Sequence, residues 1–188
     1  SMECYTPIEV PITPFIKYGE TNEILIRVGD RAWLPSAAVG STDKEKVNYL
    51  PGIWDDVDLS FTGDYRLHKT LLLPDAANET VTVKLNIRNF HPAQQLYGEQ
   101  MLDTCRVRVA VAPKGSNDFN APVERTFEIT RDNLTQVGFT MPLENPTLWS
   151  PQNPFLYQAR VELLDTNGKP MDTVTETFGM RDFEVRGT

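Results

Sequence analysis

Asp55, Asp56 and Asp58 put three carboxylates within four residues. On a strand Asp56 and Asp58 share one face, about 7 Å apart, a spacing that can hold a cation or act as a carboxylate pair. A solvent-facing strand with alternating acids produces the same pattern more often, and no third ligand stands at a defined spacing. His68 and His91 are the only histidines. Neither has a Cys, His or acidic partner at metal-ligand spacing, so both are expected to be surface or turn residues, with no metal and no cofactor. No serine occupies a Gly-x-Ser-x-Gly turn and there is no Gly-rich phosphate loop, so no catalytic residue is assigned. Trp33 and Tyr49, near the ends of the segment from Gly29 to Pro51, are the one candidate substrate-binding pair, because aromatic faces suit the apolar side of a sugar ring. Plain anchoring of the loop explains them more simply. Asn78 and Asn133 head glycosylation sequons and mark surface turns.

The chain that must position these residues has 188 residues, is 40% hydrophobic and carries a formal net charge of -8. That is a soluble, globular composition with enough apolar content for at least one core. The acidic balance and the scattered Lys and Arg argue against a nucleic-acid partner, whose phosphates must be neutralised. No apolar run reaches the roughly 18 to 20 residues that span a bilayer, so no membrane helix is expected. No basic-then-apolar leader opens the chain; Ser1-Met2 runs almost directly into Ile8, Val10 and Ile12, as if a domain were entered midway. Cys4 and Cys105 lie a hundred residues apart, and a bridge between them is not expected; cysteine usage leaves the compartment open, a periplasmic or extracellular one included.

Strand patterns dominate. Ile8, Val10 and Ile12 alternate, Tyr18 to Asn22 punctuate, and Ile24, Ile26 and Val28 alternate again. Gly29 to Pro51 follows as a long loop, of a length that marks either function or disorder. Val57, Leu59 and Phe61 then share a face. Thr62-Gly63-Asp64 is the expected boundary, giving domains 1–62 and 63–188. Beyond it strands are expected over Tyr65–Leu73, Thr80–Asn89, Cys105–Val111, Val123–Ile129, Leu134–Met141, Phe155–Leu164 and Met171–Val185, with Asp165 to Lys169 as a hairpin turn. Short antiparallel strands with one apolar face each can hide those faces only against a second sheet. The second domain is therefore predicted to be an immunoglobulin-like antiparallel β-sandwich, held by packing without the usual disulfide. Pro151 and Pro154 stiffen the lead-in from Leu148 to Tyr157 and forbid helix there.

Three segments in order resemble glycoside hydrolase family 2, the family of beta-galactosidases and beta-glucuronidases. Tyr5 to Val28 resembles the closing strands of its sugar-binding jelly-roll domain. Pro51-Gly52-Ile53-Trp54-Asp55-Asp56-Val57-Asp58-Leu59 resembles that domain's last signature, with Asp55 where Arg is frequent. Leu148 to Tyr157, followed by Phe178-Gly179-Met180-Arg181, looks like the end of its immunoglobulin-like domain, with Met180 where Phe is usual. The fold class implied is all-β, an immunoglobulin-like sandwich preceded by the C-terminal strands of a jelly roll. The resemblance places the catalytic glutamates in a (β/α)8 barrel after Arg181; Glu144-Asn145 has the letters of the family's Asn-Glu acid/base in reverse order, in a turn. The expected function is that of a non-catalytic spacer in a retaining exo-glycosidase. Its expected partners are carbohydrate through the parent enzyme, the missing jelly-roll and barrel parts, and a second copy through open strand edges. A stand-alone adhesion or carbohydrate-binding module is the alternative.

Overall fold

The computed structural model describes residues 8–28, 52–53, 55–89, 102–130 and 134–182. The chain forms two compact units, Ser1–Leu59 and Ser60–Thr188.

Among the described residues of the first unit the predicted turn is present and the predicted strands are not. Pro14 sits in the first turn of a short 3-10 helix, Thr13–Phe15, where its missing N–H costs nothing. The Asn22 side chain then closes the following turn. Its Oδ1 accepts the Lys17 N–H at 2.8 Å, and its Nδ2 donates to the Lys17 and Glu20 carbonyls at 2.9 and 3.0 Å. Gly19 supplies the positive φ of 76° that this turn needs. The alternating segments at Ile8–Ile12, Ile24–Val28 and Val57–Phe61 form no ladder among the described residues, and Val10 and Val57 are 64% and 65% exposed. Alternation supplies a face for a sheet, but a strand exists only where a neighbour takes its N–H and C=O groups.

The second unit is all β. Seven strands form two antiparallel sheets: β1 (Tyr65–Asp75), β2 (Thr80–Asn89) and β5 (Leu134–Pro142) in the order β1-β2-β5, and β3 (Leu102–Pro113), β4 (Val123–Thr130), β6 (Tyr157–Leu164) and β7 (Pro170–Phe178) in the order β4-β3-β6-β7. Because β4 pairs with β3, the sandwich divides three against four, with β2 central in one sheet and β3 and β6 in the other. Those central strands build the core. Val81, Val83, Leu85 and Ile87 of β2 face Cys105, Val107, Val109 and Val111 of β3 and Ala159, Val161 and Leu163 of β6, all of them buried. Each such Val, Leu or Ile contributes about 1.5–3 kcal/mol on burial. The outer face of the larger sheet carries an ion-pair ladder instead: Glu124 binds Arg106 at 3.0 Å and Arg108 at 3.1 Å, and Arg108 reaches Glu162 at 3.7 Å. With side chains up to about a third exposed, each pair adds only about 0–1 kcal/mol. The core, and not the ladder, holds the sheets together.

The sheet edges are finished individually. A bulge at His68 shifts the register between Leu67 and Lys69, so Tyr65 and Leu67 point inward before it and Leu72 packs on the core after it. The Leu67 N–H is taken by the Asp172 carboxylate of β7 at 2.8 Å, and the Tyr65 hydroxyl by Asp103 of β3. At the other seam Phe127 of β4 lies 6.1 Å from Phe139 of β5, and the Arg125 guanidinium stands 5.8 Å over the Phe139 ring. An inward cation at an edge discourages further strand pairing. The β3–β4 connection folds back over Ala110 and Ala112: Asn120 exchanges two hydrogen bonds with the Val111 backbone, Oδ1 accepting at 2.8 Å and N–H donating at 2.9 Å. The hairpin from Asp165 to Lys169 is as predicted, with Gly168 at φ 84° and Asp165 accepting from the Asn167 and Lys169 amides.

Two strand limits differ from expectation. β6 begins at Tyr157, not Phe155, because the Phe155 N–H turns back to the Asn153 carbonyl at 2.7 Å. β7 ends at Phe178, not Val185: at Gly179 the chain leaves β6, and Met180 pairs in parallel with Leu148.

Cys105 is an unpaired, buried thiol, and burial pushes it up to about 11. A raised folded-state value favours the native state below the thiol's ordinary value of 9.0 and loses that contribution as the pH climbs toward 11. In a Cys4→Ser background, stability by urea unfolding is therefore expected to fall by on the order of 1–3 kcal/mol more between those limits than in the additional Cys105→Ala variant. Parallel pH profiles of the two proteins would contradict this.

Candidate functional site

Among the described residues, those singled out for chemistry do not converge. Trp33, Tyr49, Cys4, His91 and Asn133 lie outside the described residues. Asp55, Asp56 and Asp58 are all exposed, and Asp55 Oδ1 accepts the Asp56 N–H at 2.9 Å. Among the described residues no three His, Cys, Asp or Glu side chains gather to hold a metal. His68 is exposed at the β1 bulge. Asn78 sits in the exposed β1–β2 turn, where its Nδ2 and N–H both donate to Asp75, at 2.8 and 2.9 Å. Those two bonds hold the Asp75 carboxyl below its ordinary value. Asn145, at φ 48°, donates its N–H to Glu79 at 3.2 Å, so Glu144-Asn145 belongs to a turn that ties the end of β5 to the β1–β2 turn.

What does converge is the stretch Leu148–Tyr157 with the residues that leave the sandwich, Gly179–Asp182. Pro151 and Pro154 lack donors, and between them the chain closes on itself: Ser150 N–H donates to the Asn153 carbonyl at 2.9 Å and Asn153 N–H to the Ser150 carbonyl at 3.1 Å. This rigid loop delivers Tyr157 to the start of β6. The Tyr157 ring packs between Phe155, at 5.0 Å edge-on, and Phe178, at 5.6 Å stacked, while its hydroxyl accepts the Thr147 N–H at 2.8 Å. A tyrosine at this corner, bonded to backbone just upstream, is a recurrent device of immunoglobulin-like sandwiches.

Trp149 then grips the outgoing chain. Its N–H donates to the Met180 carbonyl at 2.9 Å, its side chain lies over Gly179, and the Arg181 guanidinium stands 4.7 Å from its ring centre. A Cβ on Gly179 would meet the Trp149 Cβ at 3.1 Å, so a glycine is what lets the indole lie this close. Met180 is fully buried. Two residues on, Asp182 accepts the Ala76 and Ala77 amides at 2.8 and 3.2 Å, which fastens the exit to the β1–β2 turn. A carboxylate on paired backbone amides is a strong, charge-assisted anchor. The arrangement is a clasp, built of a ring, a buried thioether side chain, backbone amides and one carboxylate already occupied by two donors. It brings no nucleophile and no pair of facing carboxylates together.

The tryptophan, the prolines and the Phe-Gly-Met-Arg run are legible in the sequence, and Asp182 is not. Its partners stand 105 and 106 residues away and are plain backbone amides, which leave no mark on side-chain pattern.

The chain is 28% identical to a beta-galactosidase large subunit of Leuconostoc lactis, over 99% of its own length and 26% of the relative's. It is 28% identical to a putative beta-glucuronidase of Formosa agariphila, over 97% and 20%, and 23% identical to a beta-galactosidase of Halalkalibacterium halodurans, over 98% and 16%. The chain thus spans between 16% and 26% of the length of these relatives. A solved family 2 glycosyl hydrolase from Bacteroides cellulosilyticus shares the fold over 64% of the chain and 16% of its own, with a TM-score of 0.53 and 24% identity. The sequence pattern of the glycosyl hydrolases family 2 matches residues 56–181, which take in all seven strands of the sandwich and the clasp as far as Arg181; the chain belongs to that family.

Proposed function

We propose that this region is the non-catalytic spacer of a retaining exo-glycosidase of the beta-galactosidase type, setting the direction in which the following polypeptide leaves the sandwich. The observation that carries the reading is the clasp: Gly179 under Trp149, Met180 paired with Leu148, Arg181 on the indole and Asp182 on the β1–β2 turn. Such fixation of the four outgoing residues has little use in a chain end, and much use where the next domain must stand at a defined angle. The match to a small part of much longer glycosidases supports it. Retaining hydrolysis needs two carboxyl groups about 5–5.5 Å apart across the scissile bond. In this reading they belong to the rest of the enzyme, as do the sugar and the pocket that receives it.

Three measurements test the proposal. Purified chain is expected to release no nitrophenol from nitrophenyl β-galactoside or β-glucuronide; turnover that follows the protein through purification would refute it. In the full-length parent, Asp182→Ala combined with Trp149→Ala is expected to lower kcat/KM several-fold and to broaden the interdomain distances seen by small-angle scattering, while the sandwich stays folded. Unchanged kinetics and scattering would reduce the clasp to a local stabiliser. The apolar side chains exposed among the described residues of the first unit, Val10 and Val57 among them, offer a surface to a second copy. Sedimentation is therefore expected to show the average mass rising with concentration, and a strict monomer at all concentrations would rule out self-association.

A further inference from the structure

The outer face of the β1-β2-β5 sheet departs in charge from the rest of the chain. Its rows run Arg66–Arg88–Leu134, Lys69–Asn86–Gln136, Leu71–Lys84–Gly138 and Leu73–Thr82–Thr140. β2 and β5 contain no acid, and the only one in β1 is Asp75 at its last position, already bonded to Asn78. In a chain of net charge -8 this is a local reversal of sign. Lys69 and Lys84 are exposed and make no ion pair among the described residues. They are diagonal neighbours across β1 and β2, about 7–8 Å apart, and Arg88 lies about 13–14 Å along β2 from Lys84.

Between these cations the lining is neutral and able to hydrogen-bond. Asn86 and Gln136 supply amides, and Thr82 and Thr140 hydroxyls that touch each other at 2.9 Å. At Gly138 an added Cβ would stand 2.8 Å from the Val83 carbonyl oxygen, so the centre of β5 carries no side chain above the sheet. Leu71 and Leu73 are 46% and 39% exposed along one edge, and Leu134 stands at the opposite corner. Apolar groups so separated do not make the continuous core that a protein interface needs. A polymer with spaced anions, many hydroxyls and small apolar ring faces suits them better.

We propose that this face is an accessory binding site for an anionic polysaccharide, with Lys69 and Lys84 as its charge contacts, Asn86, Gln136 and the threonine pair meeting sugar hydroxyls, and Leu71 and Leu73 meeting ring faces. The site is open and shallow, so binding is salt-sensitive and comes from repeated contacts along the polymer. It stands independently of the spacer reading, because it is measured on this chain without turnover.

Affinity electrophoresis at low salt with polygalacturonate in the gel tests it. Retardation is expected with polygalacturonate and not with neutral dextran. Lys69→Glu/Lys84→Glu should weaken binding by about tenfold or more, and Lys69→Gln/Lys84→Gln by a smaller factor. The charge-matched Lys114→Glu/Lys169→Glu variant, with both changes at exposed positions off this face, should bind as the parent does. Melting curves identify any variant that fails to fold, and the two lysine double variants stand in for each other. Absent retardation, or equal losses in the two charge-reversed doubles, would overturn the proposal. So would binding of poly-L-glutamate as tight as that of polygalacturonate, which would make the face a protein-docking surface.

Discussion

Everything in the sandwich depends on the fit between the inner face of β2 and the inner faces of β3 and β6, since no disulfide shares the task. Val83, Val107, Val109, Val161 and Leu163 are completely shielded from water, and the only described cysteine, Cys105, sits among them as one more small apolar side chain. β-branched residues suit this work because their stiff side chains fill a pleated surface with little rotamer entropy to lose. The division of labour in the two sheets follows. Central strands carry the energy, and edge strands carry bulges, inward charges and caps, where a kilocalorie matters less than preventing a wrong partner.

The clasp is a consequence of that rigidity. A carboxylate such as Asp182 can hold a turn only if the turn itself stays still, and the β1–β2 turn is braced by Asp75, by Asn78 and by the Leu143 N–H on the Glu79 carbonyl at 2.8 Å. The stretch that carries Trp149 is likewise held just upstream, where the Tyr157 hydroxyl accepts the Thr147 N–H at 2.8 Å. Sandwich packing, corner tyrosine, indole, glycine and carboxylate therefore form one series, each member holding the next, from the core to the point where the chain departs.

The two outer faces show how differently the same architecture can be dressed. On the four-stranded sheet Glu124 is shared between Arg106 and Arg108, and charges of both signs neutralise each other in place. On the three-stranded sheet the basic side chains have no acid interleaved on the strands themselves. A surface whose charges are satisfied internally has little to offer a partner; Lys69 and Lys84, which make no ion pair among the described residues, keep their field available.

The one-dimensional pattern determined the all-β class, the seven strands and their inward residues. A two-residue period needs only local geometry, and β2, β3 and β6, the central strands, alternate cleanly. It also determined the hairpin at Asp165–Lys169 and the stiff entry at Pro151 and Pro154, because turn chemistry is local too. The same pattern misled at Ile8–Ile12 and Ile24–Val28, since alternation is necessary for a half-buried strand but a strand needs a hydrogen-bonding neighbour. Only tertiary structure decided that β4 joins β3, that β1 changes phase at His68, that the last strand stops at Gly179, and that Asp182 closes on Ala76 and Ala77. Each of those depends on which distant backbone groups come within reach, and backbone amides are the same at every position of the sequence.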